Sequence, residues 1–258
     1  MKRREFMAAS CLAGLGPLGA AAAQGAGAST GKELYELRLY HLASVDKQNA
    51  FEAFLAEAAI PALNRIGIEP VGVFKAAEGD DPGLFVLLPH KTVASLVGMY
   101  EKLGGDAAFL EAGARLLEAP KSDPAYERFE SSLLLAFDGH PKLTVPSKKE
   151  SRVFQLRIYE SHNDERAVRK IEMFNAGEID IFHRTGLAPV FFGQTLVGSR
   201  LPNLTYMLGF DDPEALEKAW DAFRADPGWN EMKQDPQYAD TVSNITNLLL
   251  RPAGCSQI

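Results

Sequence analysis

The chain has 258 residues, a formal net charge of -7 and 46% hydrophobic residues. That length and apolar content suffice to bury a core without help from disulfides or metals. The acidic balance, with no stripe of basic residues, argues against nucleic acid and anionic membrane as partners.

The first 23 residues read as an address. Met1-Lys-Arg-Arg-Glu-Phe-Met7 sets two arginines ahead of a small, apolar run from Met7 to Ala23, and Ala21-Ala-Ala23 offers a small-residue cleavage site. The pattern looks like a twin-arginine export signal, so a periplasmic or secreted location is expected. Cys11 falls inside the run with too few uncharged residues before it for a lipid anchor. Cleavage after Ala23 takes the net charge from -7 to -9, by removing Lys2, Arg3, Arg4 and Glu5, and leaves Cys255 without a disulfide partner. No later stretch is apolar for long enough to span a bilayer, so no integral membrane segment is expected after cleavage.

Tyr35-Glu-Leu-Arg-Leu-Tyr40 alternates apolar and polar residues and predicts a strand. From Asp46 to Arg65 the period becomes helical, through Phe51, Phe54, Leu55, Ala58 and Ala62, and Gly67 stops it. A strand follows from Pro70 to Phe74, then a turn at Glu78-Gly-Asp-Asp-Pro-Gly83, a strand at Leu84–Leu88, a helix from Thr92 and a last strand near Phe129–Phe137. Residues 138–151, with Pro141 and Pro146, read as a linker. The order then returns. Leu37-Arg-Leu-Tyr40 recurs as Leu156-Arg-Ile-Tyr159, and Arg65-Ile-Gly-Ile-Glu-Pro-Val71 as Arg184-Thr-Gly-Leu-Ala-Pro-Val190, both at an offset of 119. The offset becomes 120 for Leu84–Leu88 onto Leu204–Leu208 and for Tyr100 onto Trp220, and 112 for Asp123-Pro-Ala-Tyr126 onto Asp235-Pro-Gln-Tyr238. Asp212 before Pro213 supplies the second copy's helix cap, and its last strand is expected at Thr241–Leu250.

Repeat 1 therefore spans residues 33–137 and repeat 2 residues 152–251, each with the order β-α-β-β-α-β. This is the ferredoxin-like unit: an antiparallel four-stranded sheet with both helices on one face. The fold class is α+β, with the two sheets packed face to face as an α/β barrel within one chain. The opening Leu-Arg-x-Tyr strand, the long helix ending before Gly-x-x-Pro-Val and the Asp-Pro-x-Tyr before the last strand resemble the NIPSNAP family, within the dimeric α/β-barrel superfamily, over roughly residues 33–251. The resemblance implies the barrel. It implies little chemistry, since the family has no settled reaction and its superfamily cousins range from haem-handling enzymes and cofactor-free monooxygenases to proteins without catalysis.

Alternation divides the first strands into two sets. Tyr35, Leu37 and Leu39, matched by Phe154, Leu156 and Ile158, are expected under the helices; Glu36, Arg38 and Tyr40, matched by Gln155, Arg157 and Tyr159, are expected between the sheets. Two buried arginines require accepting partners. Either Glu36 pairs with an arginine and the tyrosines hydrogen-bond across the seam, or the arginines hold a small organic anion with a tyrosine as proton donor. His183 stands where repeat 1 has Asn64 and could be a base or metal ligand, although the last turn of a helix also favours histidine through the dipole. The candidate ligand-binding set is Arg38, Tyr40, Arg157, Tyr159 and His183. No His-x-His, His-Glu-x-x-His or Cys-x-x-Cys spacing and no Gly-x-Ser-x-Gly is present, so no metal, no cofactor and no nucleophile is expected.

Aromatic residues concentrate in repeat 2, at Phe191, Phe192, Tyr206, Phe210, Trp220, Phe223 and Trp229. A ligand is accordingly expected in the barrel interior nearer that copy. Two functions stay open: an exported binder of a small organic anion or aromatic compound, with cofactor-independent catalysis within its reach, or a non-catalytic scaffold for a protein partner. Association into a homo-oligomer is compatible with both.

Overall fold

The computed structural model describes residues 31–258. The export signal and Cys11 lie outside the described residues. Repeat 1 runs β1 (Leu34–His41), α1 (Val45–Phe54), a π turn (Leu55–Ala59), α2 (Ile60–Arg65), β2 (Gly72–Ala76), β3 (Leu84–His90), α3 (Val93–Val97), α4 (Met99–Gly104), α5 (Ala107–Leu117) and β4 (Arg128–Ala136). Repeat 2 runs β5 (Val153–Glu160), α6 (Asp164–Met173), a π turn (Phe174–Glu178), α7 (Ile179–Thr185), β6 (Ala188–Val197), β7 (Asn203–Phe210), α8 (Pro213–Ala225), α9 (Pro227–Met232), a short 3₁₀ turn (Pro236–Tyr238) and β8 (Asn244–Pro252).

The helix ends follow from local chemistry. Ser44, Thr92, Asn163 and Asp212 each accept a backbone N–H of the first turn through the side chain, and Pro213 occupies a position where no donor is needed. Gly186 ends α7 at a φ of 84°, a left-handed conformation that a side chain disfavours, and Gly67 ends the matching helix at 82°. The single long helix expected from 46 to 65 is broken by the π turn, and so is its twin in repeat 2, at the same offset of 119. The second helical stretch of repeat 1 is three short helices, because Gly98 and Gly104-Gly-Asp106 interrupt it.

The eight strands form one closed antiparallel barrel in the order β1-β3-β2-β8-β5-β7-β6-β4. Each repeat contributes four consecutive strands of the ferredoxin-like sheet, and the seams between them are β2–β8 and β4–β6. Closure leaves no free sheet edge. Close approach at one seam demands a glycine: a Cβ on Gly193 would lie 2.7 Å from that of Leu134. Beyond β8 the chain continues along β2, with Ala253 N–H donating to Val73 O and Gln257 N–H to Val71 O, both at 2.9 Å. Ile258 ends fully buried among the barrel-interior residues.

That interior overturns the face assignment made from alternation. Tyr35, Leu37, Phe154, Leu156, Phe191 and Met207 pack together inside the barrel, with Tyr35 against Phe191 at 5.1 Å and Phe74 against Phe154 at 4.8 Å between ring centres. Tyr40 and Tyr159 belong instead to two separate clusters beneath the helices. Glu36, Arg38, Gln155 and Arg157 share their face. In a closed barrel both faces of every strand are buried, and the lumen, sealed by strands all round, takes the more apolar set. Arg38, Tyr40, Arg157 and Tyr159, expected between the sheets, therefore lie in the gap between sheet and helices. The last strands also slip: Phe129 pairs with Tyr40 and Ile245 with Tyr159, an offset of 116 rather than the 112 carried by Asp-Pro-x-Tyr.

Because seams and lumen are shared, neither half has a complete core. Residues 24–140 and 147–258 expressed separately should lack cooperative thermal transitions and should recover them when mixed. Two well-folded monomers with sharp unfolding curves would contradict the shared barrel.

Candidate functional site

Each repeat places one arginine of its first strand under its helices. In repeat 1 Arg38 is fully answered. Its Nε donates to Glu36 Oε1 at 2.7 Å and its Nη2 to Glu36 Oε2 at 2.8 Å, while Nη1 reaches Tyr40 Oη at 3.1 Å. Ser131 Oγ donates a further bond to Glu36 at 2.8 Å. Burial by itself would raise the Glu36 carboxyl, but the neighbouring His90 ring and the bonds from Arg38 and Ser131 hold it down at about 2. The expected pairing of Glu36 with an arginine is thus present. The tyrosine bond across the seam is not; Tyr206 Oη donates to Tyr159 Oη at 3.0 Å within repeat 2.

Repeat 2 has Gln155 where repeat 1 has Glu36, and the consequence is electrostatic. Gln155 Oε1 accepts from Trp220 Nε1 at 2.7 Å, so it holds the indole rather than the arginine. Arg157 lies over the Trp220 ring at 4.8 Å and over Tyr159 at 5.4 Å, and its Nε is buried without a hydrogen-bond partner. A carboxylate is nearby but committed elsewhere. Glu178, 2% exposed at the end of the π turn, accepts from Lys170 Nζ at 2.7 Å. Burial raises the Glu178 carboxyl above the ordinary range, against the pull of Lys170 and Arg157.

These groups open onto a cavity of about 550 Å³ between β5, α6, α8 and α9. Arg157, Tyr159, Lys170 and Glu178 form its polar end; Phe182, Trp220, Phe223 and Trp229 form aromatic walls. Trp229 is fixed from behind. Arg184 donates to both carboxylate oxygens of Asp226 at 2.8 and 2.6 Å, and Asp226 caps α9 through Trp229 N–H at 3.0 Å. The equivalent Arg65 binds Asp106, the cap of α5, which explains the recurrence of that arginine in both copies.

Of the candidate residues, Arg157 and Tyr159 meet in this cavity. Arg38 and Tyr40 meet in the equivalent place of repeat 1. His183 joins neither: it is exposed at the end of α7, apart from both cavities, with its ring 6.3 Å from that of His140. Lys170 and Glu178 escaped the sequence reading. The signal was available, for at the offset of 119 they replace Phe51 and Ala59, two apolar residues of a buried helix face. Among the described residues no three His, Cys, Asp or Glu side chains cluster as metal ligands, and no helix is long and apolar enough to cross a membrane.

Residues 154–257 match the NIPSNAP family model. Candidate monooxygenases of Fusobacterium nucleatum and Lactobacillus acidophilus have similar structures, with TM-scores of 0.57 and 0.58 over 86% of this chain and 92% and 94% of theirs, at 8% identity. A NIPSNAP-like domain protein of Burkholderia xenovorans is similar over 41% of this chain and 88% of its own, at 20% identity and a TM-score of 0.37. No curated protein matches the chain in sequence. At such identities the solved structures show the fold alone.

The two arginines should respond oppositely to truncation. Arg38→Met strands the buried Glu36 carboxylate and should cost about 3–5 kcal/mol of stability. Arg157→Met loses the stacking on Trp220 but also removes an unsatisfied donor, and should stay within about 1 kcal/mol of wild type. Chemical denaturation of both variants decides, and equal losses would contradict the asymmetry. The Glu36 pair also predicts a pH dependence. Its folded value lies below the unperturbed value of about 4.3, so its contribution is complete above that pH and is lost as pH falls toward about 2. Glu36→Gln should flatten that part of the thermal-midpoint profile.

Proposed function

With residues 154–257 a NIPSNAP domain, we propose that the protein binds a small aromatic anion in the gap between sheet and helices of repeat 2. The observation that carries this is that Arg157, whose buried Nε has no partner, lines a cavity of about 550 Å³ walled by aromatic rings. A buried donor without a partner costs roughly 1–3 kcal/mol, which a ligand carboxylate accepting from it recovers. With Arg157 and Lys170 against Glu178, the polar end carries one excess positive charge. An anion of a single charge neutralises it, and the indole and phenyl walls take the ring. Tyr159, already accepting from Tyr206, is free to donate its own hydroxyl proton toward the ligand.

A filled, fully paired interior would have favoured a scaffold without a ligand. The barrel lumen leaves about 70 Å³ at one mouth, whereas this gap holds about 550 Å³ and a donor without a partner. The two N-terminal arginines and the apolar run behind them support a place of action outside the cytoplasm. Replacing Arg3 and Arg4 together by lysine should keep the protein inside the cell, which fractionation and immunoblotting of the two forms would show.

Calorimetry against benzoate, naphthoate and their uncharged amides tests the binding directly. The acids should bind, the amides should not, and Arg157→Met should abolish the difference. Binding should strengthen as pH falls through the raised Glu178 value, because protonation there leaves two uncompensated positive charges for an acid that is still ionised. Equal affinity for acid and amide, or acid binding that survives Arg157→Met, would remove Arg157 from the site.

A further inference from the structure

Repeat 1 contains the counterpart of this cavity, with about 290 Å³ between its own sheet and helices. Equivalent positions line both: Arg38, Leu63, Tyr100 and Phe109 stand where Arg157, Phe182, Trp220 and Trp229 stand in repeat 2. The chemistry is different. Glu36 holds Arg38 by two hydrogen bonds, and Phe51 and Ala59 replace Lys170 and Glu178. The charges around the repeat 1 cavity therefore cancel, and the rest of its wall is aliphatic or aromatic.

An ionic ligand would have to break a pair that already has Ser131 and Tyr40 as further partners. A buried pair left with one member uncompensated is strongly unfavourable. An uncharged apolar molecule leaves the pair intact and covers apolar wall. The mouth agrees with the interior. Tyr100, Leu117, Tyr126 and Phe129 stand around it with 61%, 46%, 38% and 36% of their surface exposed. In repeat 2 the equivalents of Tyr100, Tyr126 and Phe129 are Trp220, Val242 and Ile245, and Glu217, Arg224 and Asn247 add charged and polar groups to that cavity's wall. An exposed aromatic collar around a concave apolar cavity is uncommon on an acidic chain and marks a binding surface.

We propose that the repeat 1 cavity is a second binding site, which takes an uncharged, ring-bearing hydrophobic molecule. It is separate from the anion site of repeat 2 and stands on its own residues. The two halves, built on one plan, thus sort ligands by charge: Glu36 sets repeat 1 to neutral molecules, and its exchange for Gln155 sets repeat 2 to anions.

Fluorescence titration with the neutral probe N-phenyl-1-naphthylamine tests this. The probe should bind the full chain at a site that Gly104→Trp obstructs. Gly104 lines the cavity, has no heavy atom within 4 Å of where its Cβ would be, and corresponds to Arg224 in repeat 2, so a large side chain fits the position. Gly104→Trp should weaken the probe by about tenfold or more, as should Leu117→Lys, an independent change at the exposed mouth that decides the matter if the first variant does not fold. Arg157→Met should leave the probe's affinity unchanged, and benzoate should not displace it. Failure of the neutral probe to bind, binding indifferent to the folded mouth variants, or loss of binding in Arg157→Met would each overturn the proposal. Because benzoate binding is read separately, failure here leaves the anion site standing, and the reverse also holds.

Discussion

A guanidinium taken out of water must be answered, and the two repeats answer theirs differently. Arg38 and Arg157 occupy equivalent positions on equivalent strands beneath equivalent helices. In repeat 1 the answer is a carboxylate two residues away on the same strand face, in a bidentate bond that makes a closed, neutral unit. In repeat 2 the carboxylate has moved from the strand to the helix, where Glu178 serves Lys170, and the arginine rests against the rings of Trp220 and Tyr159 with its Nε unpaired. Cation–π contact attracts the charge without satisfying its N–H donors. The exchange of Glu36 for Gln155, with Lys170 and Glu178 in place of Phe51 and Ala59, sets the different charge of the two cavities.

The barrel is what lets the exchange persist. Its lumen is lined by apolar side chains from both halves and closed by two seams, so one core is common to the two repeats while each keeps a helix-covered cluster of its own. The gaps can then diverge, one apolar and one charged. The paired π turns contribute to this: they recur at the same place in both copies, and in repeat 2 the turn ends on Glu178 and holds it at the floor of the cavity. Extra residues of this kind within a helix re-aim the side chains that follow, a device often found at sites of function.

Repetition made the architecture legible. Two copies of one element order, with Leu-Arg-x-Tyr and Arg-x-Gly-x-x-Pro-Val at one offset, specify the strands, the helices and the closed pair of sheets. Alternation named the two faces of β1 and β5 correctly as sets but not which set faces the lumen. With both faces buried, the polar set had no solvent side to reveal it, and Tyr35 and Leu37 went to the helices on paper and to the lumen in the fold. His183 lies apart from both cavities, and a lone histidine beside a conspicuous motif says nothing of its direction. Lys170 and Glu178 are concealed by their eight-residue separation, which spans the π turn and is not one of the i,i+3 or i,i+4 spacings at which helical charges pair. Only their alignment with Phe51 and Ala59 marks them as charges in an apolar place.

Arg157 has a buried donor without a partner, whereas the Nε–H of Arg38 is held by Glu36. Nitrogen-15 spectra of protein with labelled arginine report on the two Nε–H groups directly. The Arg38 Nε–H should exchange slowly and stay unmoved when benzoate is added; the Arg157 Nε–H should exchange faster in the free protein, then shift and gain protection on titration. Equal protection of both groups without benzoate, and no movement of Arg157 on its addition, would contradict the account.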